Sequence, residues 1–285
     1  MPSYRYRLVD VFTKNPLEGN GLAVFLNADS LDAATMQKIA REMNLAETTF
    51  VQRPTRRDCV ANVRIFTPME EMLFAGHPTL GTAFVLLQER VIPWGVRQFQ
   101  LEEKVGAVPV RVEPGDRPKV WLTTPPIAGG RTFDPQACVR ALGVDIGDLL
   151  GPMPQLLSAG NPNLFIALRS REAVDRASLD VASLRGLKQP GDPLFCVFVF
   201  APTPEGAYSR MFAPDHGIAE DPATGSATGP LAAYMQQHHI APGAEFVSEQ
   251  GVKMGRPSYL HVKVGESGVE VGGYVTPVAK AVMTL

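Results

Sequence analysis

The sequence predicts an α+β protein built from two halves of similar design, and three observations carry that expectation. At 285 residues the chain exceeds the usual size of one domain. Short segments rich in β-branched and aromatic residues, most of them ended by Gly, Pro or Asn, far outnumber helical patterns. Finally, "VRIFTP" at 63–68 returns as "SRMFAP" at 209–214, and each copy runs on through acidic residues and a glycine-rich turn into an apolar helical stretch. The shared order matters more than the identities, because a five-residue match arises by chance. It predicts two domains joined near Pro125 and Pro126: residues 1–126, completed by 277–285, and residues 127–276.

Taken in order, "YRYRLVDVF", "GLAVFL", "TTFVQR", "ANVRIFTP", "VPVRVE" and "KVWLTTP" read as strands in the first half. "LFIALR", "LFCVFVFAP", "AYSRMFAP", "AEFVSEQG", "YLHVKVG" and "GVEVGGYV" do so in the second. Helical periodicity is confined to Ser30–Met43, Thr79–Glu89, Asp134–Leu142 and about Ser226–Gln237. "ADSLDAATMQKIAREMN" opens with Asp and Ser at capping positions, which supports the first of these. The 25 prolines and 26 glycines punctuate the rest into short elements.

Composition excludes several function classes. A hydrophobic share of 45% with 20% charged residues is that of an ordinary globular protein able to bury a core without disulfides. A net charge of −2 gives no electrostatic case for nucleic acid or an anionic membrane surface. Three scattered cysteines, Cys59, Cys138 and Cys196, make neither a disulfide framework nor a zinc cluster. "MPSYRYRLVDVF" lacks the apolar region of a signal peptide, and no apolar run approaches the ~18 residues of a membrane span. A cytoplasmic protein is therefore expected.

Several tempting motifs fail on chemistry. "GHPTLGT" has glycine spacing reminiscent of a phosphate-binding loop, but Thr82 stands where lysine is needed. "GNGLAVF" precedes a strand and reads as a turn, not a dinucleotide fingerprint. There is no Gly-x-Ser-x-Gly elbow and no His-Glu-x-x-His, and His238-His239 reads as a helix-end pair. No metal and no cofactor is expected.

"DVFTKNPLEGNGLAVF", "NLAETTFV", "FAGHPTLG", "EDPATGSATG", "EQGVKMGRPS" and "VGGYV" occur in order along nearly the whole chain. Through them the sequence resembles the phenazine-biosynthesis isomerase (PhzF-like) family, relatives of diaminopimelate epimerase. The resemblance implies two pseudo-symmetric domains, each an antiparallel β-barrel-like sheet around a central helix. It further implies a ligand cleft where the two helix N-termini meet, and a homodimer. In the epimerase relatives two cysteines act from opposite sides of the substrate carbon. Here Ala75 and His77 flank Gly76, and Thr224 and Ser226 flank Gly225, so two-thiol chemistry is disfavoured.

For a glutamate at a helix–strand junction such as Glu47 the ordinary reading is a solvated carboxylate. The resemblance implies instead the proton-transferring group, a role that an enclosed carboxylate of raised pKa suits. An imidazole close to a carboxylate can fix the ligand's acidic group or tune Glu47, which is the catalytic reading of His77; its ordinary reading is a capping or core histidine. Asp221 is read either as an Asx-turn cap worth about 1 kcal/mol or as a catalytic residue holding the ligand's amino or hydroxyl group. Ser226 is assigned to a substrate carboxylate, together with Gly76, Thr224 and the backbone N–H groups of Gly225 and Ala227, if those are free at the helix start. Glu220 is read as solvated. The expected function is a cofactor-independent isomerase of a small carboxylate-bearing metabolite. The alternatives are an amino or hydroxy acid epimerase or racemase, and a metabolite-binding or interaction protein without turnover.

Overall fold

The computed structural model describes residues 1–93, 95–266 and 268–285. The chain divides into two compact units, residues 1–123 with 271–285 and residues 124–270.

In the first unit, β1 (Ser3–Val11) pairs antiparallel with β2 (Asn20–Phe25). The chain then crosses over through α1 (Ala33–Met43), so that β3 (Glu47–Gln52) runs parallel to β2. The cap of α1 is Asp32, whose carboxylate accepts the Thr35 N–H at 2.7 Å, and the helix closes on Asn44 at φ 50°. Met36, Ile39 and Ala40 turn inward onto Phe25, Phe50 and Phe66. Next come β4 (Ala61–Phe66), antiparallel to β3, and the short β5 (Glu71–Met72). A second crossover through α2 (Gly76–Gln88) sets β6 (Gln98–Glu103) parallel to β4, and β7 (Gly106–Glu113) and β8 (Lys119–Thr123) continue antiparallel. Every residue of α2 from Gly76 to Leu86 is buried, and the helix packs on β1, β2, β3, β4 and β8. A helix apolar all round belongs at the centre of its unit.

The second unit opens with β9 (Ala128–Thr132), α3 (Pro135–Leu142), β10 (Gln155–Ser158) and β11 (Pro162–Ala167). Two short helices, α4 (Arg171–Arg176) and α5 (Val181–Leu187), lead to β12 (Cys196–Thr203), parallel to β11. β13 (Gly206–Ala213) returns antiparallel and carries β14 (Ile218–Asp221) at its side. α6 (Gly225–Gln237) then crosses to β15 (Glu245–Gln250), parallel to β13, followed by the antiparallel β16 (Ser258–Gly265) and by β17 (Gly268–Gly273). α6 packs on β10, β11 and β16. The last strand, β18 (Val275–Thr284), belongs to the first unit and pairs with β1.

The expected antiparallel sheets are in fact mixed: β2–β3, β4–β6, β11–β12 and β13–β15 are parallel. Parallel neighbours need a long crossover, and α1, α2, the α4–α5 pair and α6 supply one each. α4 and α5 were not expected, being too short for their periodicity to show. The repeated Arg-x-Phe-x-Pro has a common physical use. Arg64 donates to Glu71 at 2.7 Å and lies over the Phe66 ring; Arg210 donates through two nitrogens to Glu220 at 2.8 Å each and lies over Phe212. Glu220 is thus not solvated, as its sequence position implies, but held in a half-buried ion pair. Among the described residues no helix is long and apolar enough to cross a membrane.

Candidate active site

The two glycine-rich turns begin α2 and α6, each about one residue to one turn earlier than periodicity implies. Pro78 is tolerated because the first helical turn needs no N–H there. Neither helix has a side-chain cap: Ala75 cannot supply one, and the Thr224 hydroxyl points elsewhere. Among the described residues, the N–H groups of Gly76 and His77 at the start of α2, and of Gly225 and Ser226 at the start of α6, have no hydrogen-bond acceptor. The Ala227 N–H donates to Thr224 O at 3.1 Å, so the free pair is Gly225 with Ser226 and not Gly225 with Ala227. Unfilled donors at a helix start suit an anion.

In the first unit, Glu47 opens β3 and His77 occupies the first turn of α2, inside the helix rather than at its mouth. His77 Nε2 lies 3.4 Å from Glu47 Oε2, and the Asn20 side-chain amide meets His77 Nδ1 at 3.2 Å. With the amide nitrogen of Asn20 donating, Nδ1 is the acceptor and the ring proton sits on Nε2, the nitrogen nearer Glu47, although the 3.4 Å approach is not a hydrogen bond. Burial pushes the imidazole pKa down to about 3, so the ring is neutral near pH 7. Asn20 reaches it because Gly19 turns the chain at φ 66°, where a Cβ would fall 2.3 Å from Val11 O. On the far side of the turn, Thr79 Oγ1 lies 2.7 Å from Ala75 O and 2.6 Å from Oε1 of the buried Glu103.

In the second unit, Asp221 does not cap α6; its Oδ2 accepts the Thr224 hydroxyl at 2.5 Å. Gln250, fully buried at the end of β15, ties the turn together. Its Nε2 donates to Asp221 O at 2.7 Å and to Thr224 Oγ1 at 3.0 Å, and its Oε1 accepts the Thr224 N–H at 3.2 Å. Gly251 follows at φ 77°, in a space where a Cβ would meet Arg256 O at 2.4 Å. Glu47, Gly76 and His77 thus share one turn, and Asp221, Thr224, Gly225, Ser226 and Ala227 share the other.

Sequence reasoning missed Asn20, Glu103 and Gln250. A signal for two of them existed: "FQLEE" at 99–103 and "FVSEQ" at 246–250 end corresponding strands with an acid or its amide at the last position. The cysteines Cys59, Cys138 and Cys196 are buried and lie in neither turn. Among the described residues no three His, Cys, Asp or Glu side chains are arranged to hold a metal ion.

A family model described as "Phenazine biosynthesis-like protein" matches residues 9–281. The chain is 38% identical over 278 residues to the trans-2,3-dihydro-3-hydroxyanthranilate isomerase of Pseudomonas aeruginosa, with 95% of each chain covered. A solved structure of a predicted epimerase from the same organism superposes with a TM-score of 0.85 at 34% identity, covering 99% of both chains. A PhzF-family phenazine biosynthesis protein from Bacillus anthracis gives a TM-score of 0.89 at 20% identity over the whole of both chains, a likeness of fold alone.

Proposed function

The chain belongs to the phenazine biosynthesis-like protein family, and from that premise we propose that it is an isomerase that moves a proton between carbons of a small carboxylate-bearing metabolite. The observation that carries the reading is the buried row Asn20, His77, Glu47. The amide fixes the ring, and the neutral ring sets its Nε2 3.4 Å from Oε2 of the Glu47 carboxylate, which is proposed to take the substrate proton. A carboxylate held this way removes a proton from one carbon and returns it to another. The electron pair left behind enters the substrate's conjugated system, and the negative charge is best met by fixed N–H dipoles. Gly76 and His77 offer such N–H groups in the unit that holds Glu47, and for Gly225 and Ser226, with the Ser226 hydroxyl, we keep the carboxylate-binding role that the sequence suggests. Asp221, oriented by Thr224, is assigned to the substrate's amino or hydroxyl group. A dihydro-hydroxyanthranilate, the substrate in the name of the P. aeruginosa relative, is the first compound to try.

The epimerase reading, favoured by the named function of the 34% identical structure, needs a second base of comparable strength. Ser226 stands in the second turn where His77 stands in the first, and supplies none. Incubation in heavy water separates the readings. Isomerisation gives a product with carbon-bound deuterium at a new position, epimerisation gives deuterium at the original carbon with inverted configuration, and a binding protein gives neither. Deuterium incorporation that survives unchanged in Glu47→Gln removes Glu47 from the mechanism.

A further inference from the structure

Glu103 is a carboxyl group in an unusual place. It ends β6 at 4% exposure; its Oε1 touches Thr79 Oγ1 at 2.6 Å, and its Oε2 is buried with no hydrogen-bond partner. Among the described residues no ion pair is formed with it. The charged residues of the surrounding strands are engaged with one another: Arg64 and Lys104 with Glu71, Glu102 with Thr55 and Arg56, Arg111 with Glu113. α2 offers only His77 as a titratable group, and that ring is uncharged.

Counting protons around Thr79 gives the state of Glu103. The Thr79 hydroxyl carries one hydrogen, yet its oxygen makes two short contacts, to Ala75 O at 2.7 Å and to Glu103 Oε1 at 2.6 Å. Ala75 O has no proton to give. If the hydroxyl donates to Glu103, the contact with Ala75 becomes two oxygens in repulsion. If it donates to Ala75 O, as Thr228 does to Thr224 O at 2.9 Å in α6, the other hydrogen must come from Glu103 itself. In the second unit the strand after the helix ends in Gln250, a side chain that is always neutral, and its Nε2 donates to the hydroxyl of the capping residue Thr224 rather than to Thr228.

We propose that Glu103 is a positioning residue for the α2 turn and works as a neutral carboxylic acid. Its O–H donates to Thr79 Oγ1 while the Thr79 hydroxyl donates to Ala75 O, which fixes the backbone that carries Gly76 and His77. Burial in apolar surroundings acts in the same direction, pushing the Glu103 pKa up to about 8. The proton assignment is independent of the reaction; its consequence for turnover rests on the role given above to His77 and Glu47. Ionisation of Glu103 breaks the donor chain and releases the turn, so the alkaline limb of catalysis belongs to a residue that never meets the substrate.

Infrared difference spectra of the full chain, wild type minus Glu103→Gln, test this without substrate. An un-ionised carboxyl band is expected near neutral pH, absent from the variant and fading as pH rises past about 8. Thr79→Val, which keeps the shape and removes the hydroxyl, is expected to shift that band. A wild-type spectrum without the band, or a band indifferent to both substitutions, overturns the proposal. In turnover, Glu103→Gln is expected to keep kcat/KM within a few-fold at neutral pH and to lose the alkaline limb. A limb that stays in place overturns the positioning role even if the band is found. A confirmed band in a protein with no proton-transfer activity would sink the functional reading and leave the proton assignment standing.

Discussion

At the start of α2 the groups around two free N–H donors are an imidazole and two carboxyl groups, His77, Glu47 and Glu103. At the start of α6 the corresponding places hold a hydroxyl and an amide, Ser226 and Gln250, with Asp221 as the single acid. The backbones are alike: crossover helix, no side-chain cap, a threonine one turn in that bonds back to the capping carbonyl. Their chemistry is not. The first turn gathers an imidazole and two carboxyl groups, the second an amide, hydroxyls and one carboxyl group. Under the proposed function, the turn of α2 is the one suited to proton transfer and the turn of α6 the one suited to recognition.

Four substitutions or titrations put that division under strain. The largest effect is expected at Glu47. Glu47→Gln should cut solvent deuterium incorporation by roughly 100- to 10,000-fold, the usual share of general acid–base catalysis, while Ser226→Ala weakens substrate binding with a smaller loss in kcat. Equal losses in the two variants would erase the contrast.

Next is Gln250→Leu. It strips three hydrogen bonds from the buried second turn, which should cost about 3 kcal/mol in urea unfolding. A change of a few tenths would mean that the amide is ornamental.

The pH dependence of stability comes third. The His77 pKa falls from 6.5 to about 3 on folding, so its contribution is present above pH 6.5 and is lost as pH falls toward 3. The Glu103 pKa rises from 4.5 to about 8, so its contribution is present below pH 4.5 and is lost as pH rises toward 8. Between pH 4.5 and 6.5 the two slopes cancel, one proton each way. Above pH 6.5 only the Glu103 slope remains, about 1.4 kcal/mol lost per pH unit. Chemical denaturation across this range should show the decline in wild type and not in Glu103→Gln. Gln250→Glu should add a similar decline to the second unit.

The smallest effect is a control. α1 has the side-chain cap that α2 and α6 lack, and Asp32→Ala should lower stability by about 1 kcal/mol without touching activity.

Much of this could be read from the residues. The internal echo located both turns, and the apolar runs after them gave α2 and α6 to within a few residues. Parallel pairing was not legible, because alternation along β2 or β13 says which face is buried and nothing about the direction of the neighbour. Asn20 hid inside Gly-Asn-Gly, a pattern that turns share, and Glu103 hid in "LEEKVG", which looks like a solvated strand end. Burial alone separates such residues from their ordinary counterparts. Glu220 went the same way, since its partner Arg210 lies ten residues back along a hairpin.

The route of the chain has a consequence for synthesis. The second unit is a single continuous stretch, whereas the first needs β18, paired along β1 and added after everything else. A nascent chain can form the second unit while the first still lacks the strand that pairs with its opening one, so the first unit is completed after the second. Any truncation or fusion that disturbs residues 275–284 should strike the half of the molecule that was translated first.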